Sequence, residues 1–128
     1  MFLRSSANPN YRIIFYDLET TGFNIFQNSI IEIAAVDNKG NKFEQLISFD
    51  SPLPKRIVEI TKITDDMLLN KPNITQTLNS FVNFIRDEKE PNKKVFMVGH
   101  NSNSFDMPFL KAQCAKHNIK FPNVLSLD

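Results

Sequence analysis

Residues 11–22, YRIIFYDLETTG, constrain this chain more than any other stretch. Ile13, Ile14, Phe15, Tyr16 and Leu18 put β-branched and aromatic side chains on both faces of one extended segment. That pattern predicts a central strand covered on both sides. Alternate residues of a strand share a face, so Asp17 and Glu19 leave the C-terminal end of the segment together, roughly 7 Å apart along it. Two carboxylates so placed repel unless a cation lies between them, and a hard divalent ion is the cation that prefers oxygen ligands. Gly22 is expected to take a positive φ, turning the chain away and letting another backbone approach.

The rest of the chain supplies partners for this strand. Residues 1–10 read as a flexible lead-in and residues 11–128 as one domain. Residues 29–36 (SIIEIAAV) predict a second buried strand, 37–41 a turn, and 42–49 the returning strand of a hairpin. Residues 61–69 suggest a short helix capped by Thr64. A longer helix is expected at 75–88, capped by Asn73 or Thr75, because Ile74, Leu78, Phe81, Val82 and Ile85 recur at helical spacing. A strand at 95–98, a helix at 105–117 and a strand at 124–127 complete the pattern. A meander followed by helix–strand–helix–strand implies an α/β fold, its mixed sheet carrying helices on its faces. Sites in such sheets lie beyond the C-terminal ends of parallel strands. Asp17 and Glu19 mark one such end; His100 and Asn101 mark another, with Asp106 just beyond.

Fifteen basic and fourteen acidic residues leave a net charge of +1, so any nucleic-acid surface must be a local patch. The lone Cys114 excludes an internal disulfide framework. No apolar run reaches membrane-spanning length, and the first residues lack a secretory signal, so the expectation is an intracellular protein, cytoplasmic or nuclear, that is not secreted. Several residues read as structural: Phe81 and Phe84 as helix core, His117 as a helix-end residue, and Glu32 as paired or at an exposed edge. His100 reads as a hydrogen-bonded structural histidine. Phe23, Phe26 and Phe105 are better placed to touch a ligand.

Four ordered stretches carry a resemblance: DLETTG, then IIEIAAV, then ITDDMLLNKP, then GHNSNSFDMPFL. Together they resemble the DEDD-type (DnaQ-like) 3′–5′ exonucleases, the superfamily of polymerase proofreading subunits and three-prime repair exonucleases. The resemblance implies an RNase H-like fold and metal-dependent hydrolysis of terminal phosphodiesters, releasing nucleoside 5′-monophosphates. It implies two divalent cations, Mg²⁺ or Mn²⁺: Asp17 bridging both, Glu19 on the ion that holds the water, and Asp106 on the second. Thr20, Thr21 and Gly22 are implied to lie against the terminal nucleotide, Asn101 to hold the strand near its 3′ end, and Phe105 to support the site. The implied partners are a single-stranded or frayed 3′ end of DNA or RNA and a polymerase or other protein. The family's third motif supplies a fourth acid from a later helix, and no residue here matches it. The domain is therefore expected to be incomplete at the C-terminus. A non-catalytic nucleic-acid-binding module derived from such an enzyme is the alternative, and an RNase H-type endonuclease or transposase core a third reading.

Overall fold

Alternation along the first strand decides how the molecule is layered. The structure, a computed structural model, describes residues 10–87, 89 and 91–128; residues 1–9 of the expected lead-in lie outside them. Strand β1 spans Tyr11–Thr20, and its even-numbered side chains Arg12, Ile14, Tyr16 and Leu18 are buried. Strand β2 (Ile30–Asp37) pairs with it antiparallel, and β3 (Lys42–Leu46) extends the meander. On the other side β4 (Lys94–Val98) runs parallel to β1, and β5 (Leu125–Leu127) runs parallel to β4. The order β3-β2-β1-β4-β5 is the mixed sheet expected from the element pattern.

Two helices, the amphipathic α3 (Ile74–Arg86) and α4 (Met107–Lys116), cover the even face of β1. Phe81, Ile85, Phe109 and Leu110 are fully buried there, each removal from water contributing about 1.5–3 kcal/mol. Asn73 caps α3 through a reciprocal bond pair with Gln76: Gln76 N donates to Asn73 Oδ1 (2.8 Å) and Asn73 N to Gln76 Oε1 (3.1 Å). The odd face of β1 departs from expectation. Phe15 is 49% exposed and Tyr11 39%, because both helices with a long apolar face lie against the other side of the sheet. The strand is central in the sheet order yet covered on one face.

Between β3 and α3 the chain builds a second small core. Helix α1 (Lys55–Thr61) starts after Pro54, and α2 (Asp65–Leu68) is capped by Thr64, whose Oγ1 accepts from Met67 N (3.3 Å). The short helix expected at 61–69 is thus confined to four residues, preceded by a helix that was not expected. An irregularity in the β1–β2 ladder between Glu19 and Thr20 lets consecutive residues Ile30 and Ile31 both bury, one in each core. Bulges of this kind bend a strand and re-aim its side chains, and this one lies beside Glu19. Among the described residues no helix is long and apolar enough to cross a membrane.

Candidate active site

The parallel pairing of β1 and β4 ends with Phe15 opposite Val98, so β4 stops two residues short of Asp17 and the chain beyond it, starting at Gly99, lies beside Tyr16 in the longer β1. Asp17 is exposed and Glu19 half-buried on the odd face of β1. After β4, Gly99 and His100 lead into a single π-helical turn, Ser102–Asp106. The carbonyl of Asn101 accepts from Phe105 N (2.8 Å) and Asp106 N (3.1 Å), so the turn is one residue wider than an α turn. Asp106 is buried at its end. A Cβ at position 99 would sit 3.3 Å from Asp106 Oδ2 and 3.3 Å from the Tyr16 carbonyl. Glycine there leaves the space that the carboxylate needs beside β1.

Burial first and like charges second set the electrostatics. Burial pushes the Asp106 carboxyl up to about 6, Asp17 and Asp128 add repulsion, and the exposed His100 works against them. Burial also raises Glu19, as do Asp17, Glu32 and Asp106, all of them acids. Glu32 pairs across the ladder with Glu19, on an inner strand of the sheet. It is therefore neither at an edge nor neutralised: burial, Glu44 and Asp17 raise it too. A cluster of all-oxygen donors in which neighbouring acids add to the raised Glu19 and Asp106 suits hard divalent cations. The donor set fits such ions, with Asp17 central because it influences both Glu19 and Asp106. Among the described residues no three His, Cys, Asp or Glu side chains close into a cage around one ion.

Beside the acids lies a cleft of about 310 Å³, near the lower end of the range for ligand pockets. Glu19, Thr20, Thr21, Gly22 and Phe105 all line it, whereas Asp17, Asn101 and Asp106 do not. Thr21 is 7% exposed, and its Oγ1 accepts from Ser29 N (2.9 Å), so its hydroxyl closes the loop rather than facing a ligand. Thr20 Oγ1 likewise donates to the Gly22 carbonyl (2.7 Å). Phe105 stands edge-on between Phe23 and Phe109, with centroids 5.9 and 5.3 Å away, and Phe23 is 80% exposed at the rim.

Gly22 does not have a positive φ. Its need for glycine is steric: a Cβ would lie 2.5 Å from Asn28 Oδ1, which accepts from Asn24 N (2.9 Å) to brace the loop. Gly22→Ala is expected to displace that amide and cost about 1 kcal/mol. A thermal melt of the variant checks it, and an unchanged midpoint contradicts it.

Sequence reasoning overlooked two parts of the site. The far wall of the cleft is α1, through Arg56, Ile57 and Ile60. Its signal was present: Pro54 sits where proline favours a helix start, and Ile57, Ile60 and Thr61 recur at helical spacing. Glu32 was passed over because an acid in an apolar run reads as an edge residue until its cross-strand partner is known.

This fold, with acids at paired strand ends beside a cleft, defines a class, and comparison with known proteins agrees with it. The family model described as Exonuclease (RNase T) matches residues 14–127, and the chain belongs to that family. Among relatives, DNA polymerase III PolC-type of Halalkalibacterium halodurans is 43% identical over 110 residues, 83% of this chain and 7% of the relative. DNA polymerase III subunit epsilon of Treponema pallidum is 41% identical over 102 residues, 77% of this chain and 44% of the relative. The chain thus spans less than half the length of either. E. coli Exonuclease I in complex with a dT13 oligonucleotide superimposes with a TM-score of 0.74 at 17% identity, over 91% of this chain and 27% of that one. At that identity the likeness shows the fold, which is RNase H-like as expected.

Proposed function

We propose that the chain is the catalytic region of a metal-dependent 3′–5′ exonuclease that trims single-stranded or frayed 3′ ends of DNA to nucleoside 5′-monophosphates. The observation that carries this reading is geometric: Asp106 Oδ2, from the turn after β4, and the Tyr16 carbonyl both lie 3.3 Å from where a Cβ at position 99 would sit, which sets Asp106 beside the part of β1 that bears Asp17 and Glu19. Asp17 with Glu19, and Asp17 with Asp106, would hold two divalent cations, Mg²⁺ or Mn²⁺. Such a pair supplies an activated water and neutralises charge on the leaving oxygen. The side chains present do the positioning. The cleft walls (Phe23, Phe105, Ile57) are apolar and suit a base or ribose, and the rim cation Arg56 suits a phosphate. Backbone groups of residues 20–22 and the exposed Asn101 are the polar contacts left for the terminal nucleotide. DNA is favoured over RNA because the relatives are DNA polymerase chains and the superimposed exonuclease carries a dT13 strand. A polymerase, covalent or separate, is the partner those relatives suggest.

The test is a 5′-labelled single strand incubated with Mn²⁺. A ladder shortening from the 3′ end, lost on chelation and in Asp17→Ala, supports the reading. Binding without cleavage makes the chain a nucleic-acid-binding module, and internal cuts make it an endonuclease.

A further inference from the structure

Asp106 is carried by a turn with little regular structure of its own, and something must fix where that turn sits. Its first residue, Ser102, is fully buried. The Ser102 hydroxyl lies 2.6 Å from the Tyr16 hydroxyl on β1 and 2.7 Å from the Ser126 hydroxyl on β5. The turn is also held at its rim, where Asn103 N donates to Asp128 Oδ1 (2.7 Å). Tyr16 itself is 5% exposed, its ring against Gly99 and its neighbour in sequence the central acid Asp17. Alternation sends the two side chains to opposite faces: Asp17 toward the site, Tyr16 beneath the sheet to reach the turn. One strand therefore delivers one acid directly and ties down the segment that delivers another.

We propose that Tyr16 is a positioning residue, its hydroxyl holding Ser102 and thereby setting the π turn so that Asp106 faces Asp17. This rests on the metal-site reading above and deepens it by naming what holds the second strand-end acid in register. Partners that orient metal-binding carboxylates from behind typically matter ten- to a hundredfold in metal affinity. Tyr16→Phe removes only the hydroxyl and keeps the ring packed, so the fold should persist.

The experiment measures Mn²⁺ binding to the full chain by electron paramagnetic resonance, alongside thermal melting. Tyr16→Phe is expected to weaken Mn²⁺ binding about tenfold, with Ser102→Ala doing the same, while the residual binding of Asp106→Asn is unchanged by adding Tyr16→Phe. Equal Mn²⁺ affinity in Tyr16→Phe and the unsubstituted chain overturns the proposal but leaves the metal site intact. A loss of the same size in the Asp106→Asn background overturns it too, because Tyr16 would then act elsewhere. A lowered melting midpoint with unchanged affinity shows a merely structural hydroxyl. No Mn²⁺ binding by the unsubstituted chain overturns the metal-site reading itself, and this proposal with it.

Discussion

Asp106→Asn is expected to stabilise the metal-free chain at neutral pH and to blunt its response to divalent cations. Burial and the neighbouring acids hold the Asp106 carboxyl at about 6, above its ordinary value of 3.8. A carboxyl whose folded pKa is raised stabilises the fold while protonated; that contribution is complete below about pH 4 and is lost as pH rises through about 6. At about pH 7.5 the metal-free chain therefore bears the cost of an ionised acid among acids, up to about 3 kcal/mol. Asparagine keeps the shape without the charge, so the melting midpoint should rise by about 5 °C or more at that pH, and by about half as much near pH 5. Cations reverse the ranking. A divalent ion at a hundred times its dissociation constant would stabilise the unsubstituted chain by about 2.7 kcal/mol, whereas the variant should gain little. Ion binding should weaken as pH falls below about 6, because a protonated carboxyl is no ligand. Thermal melts at both pH values, with and without Mn²⁺, read all of this. A metal-free variant less stable than its parent would refute the repulsion; equal stabilisation of both by Mn²⁺ would remove Asp106 from the ligand set.

What the sequence revealed and what it hid divide along a physical line. Asp17 and Glu19 were legible because strand periodicity is local: two positions apart means the same face. Asp106 was legible because the apolar strand 95–98 and Pro108 placed it just past a strand end. The uncovered face of β1 was not legible. Tyr11, Ile13 and Phe15 look like core residues in sequence, and only the docking of both long helices on the opposite face leaves Tyr11 and Phe15 exposed and Ile13 half-buried. Glu32 was hidden for a related reason, since its place opposite Glu19 depends on ladder register and on the bulge one residue further on. Gly22 shows that a glycine can be recognised as necessary for the wrong cause. Its crowding by Asn28 is a contact across six residues of loop, not a property of its own backbone. Helix α1 is hidden in the sequence because two closely spaced prolines, Pro52 and Pro54, signal irregular chain, whereas Pro54 caps the helix that follows it.

The largest loss of stability should come from Arg12→Ala, far from the acids. Arg12 is 4% exposed at the start of β1 and closes three structural elements at once. Its Nε donates to Asp37 Oδ2 (3.1 Å), and its Nη1 donates to the carbonyls of Phe84 (2.7 Å) and Ile85 (2.8 Å) near the end of α3. Those carbonyls have few donors within the helix, and the negative helix end favours a cation. The guanidinium also lies 4.8 Å from the centre of the Phe84 ring. Asp37 in turn organises the β2–β3 turn, accepting from Lys39 N, Asn41 N and Asn41 Nδ2, each at 2.9 Å. Burial by itself would raise Asp37, but the bonds from Asn41, Lys39 and Arg12 together lower it. A lowered carboxyl stabilises the fold above the ordinary range and loses that contribution as pH falls through its depressed value. Removing Arg12 strands a buried carboxylate, at a cost of about 3–5 kcal/mol, a large part of the roughly 5–15 kcal/mol that holds a domain folded. The melting midpoint should fall by about 10 °C or more, and acid unfolding should begin at higher pH. Arg12→Ala/Asp37→Asn should recover part of the loss, since the stranded charge goes with it; a double variant no better than Arg12→Ala alone would mean that the lost helix cap, not the carboxylate, carries the cost. Arg12 and Asp17 lie on opposite faces of the same strand, so Mn²⁺ affinity of the folded Arg12→Ala fraction should match its parent.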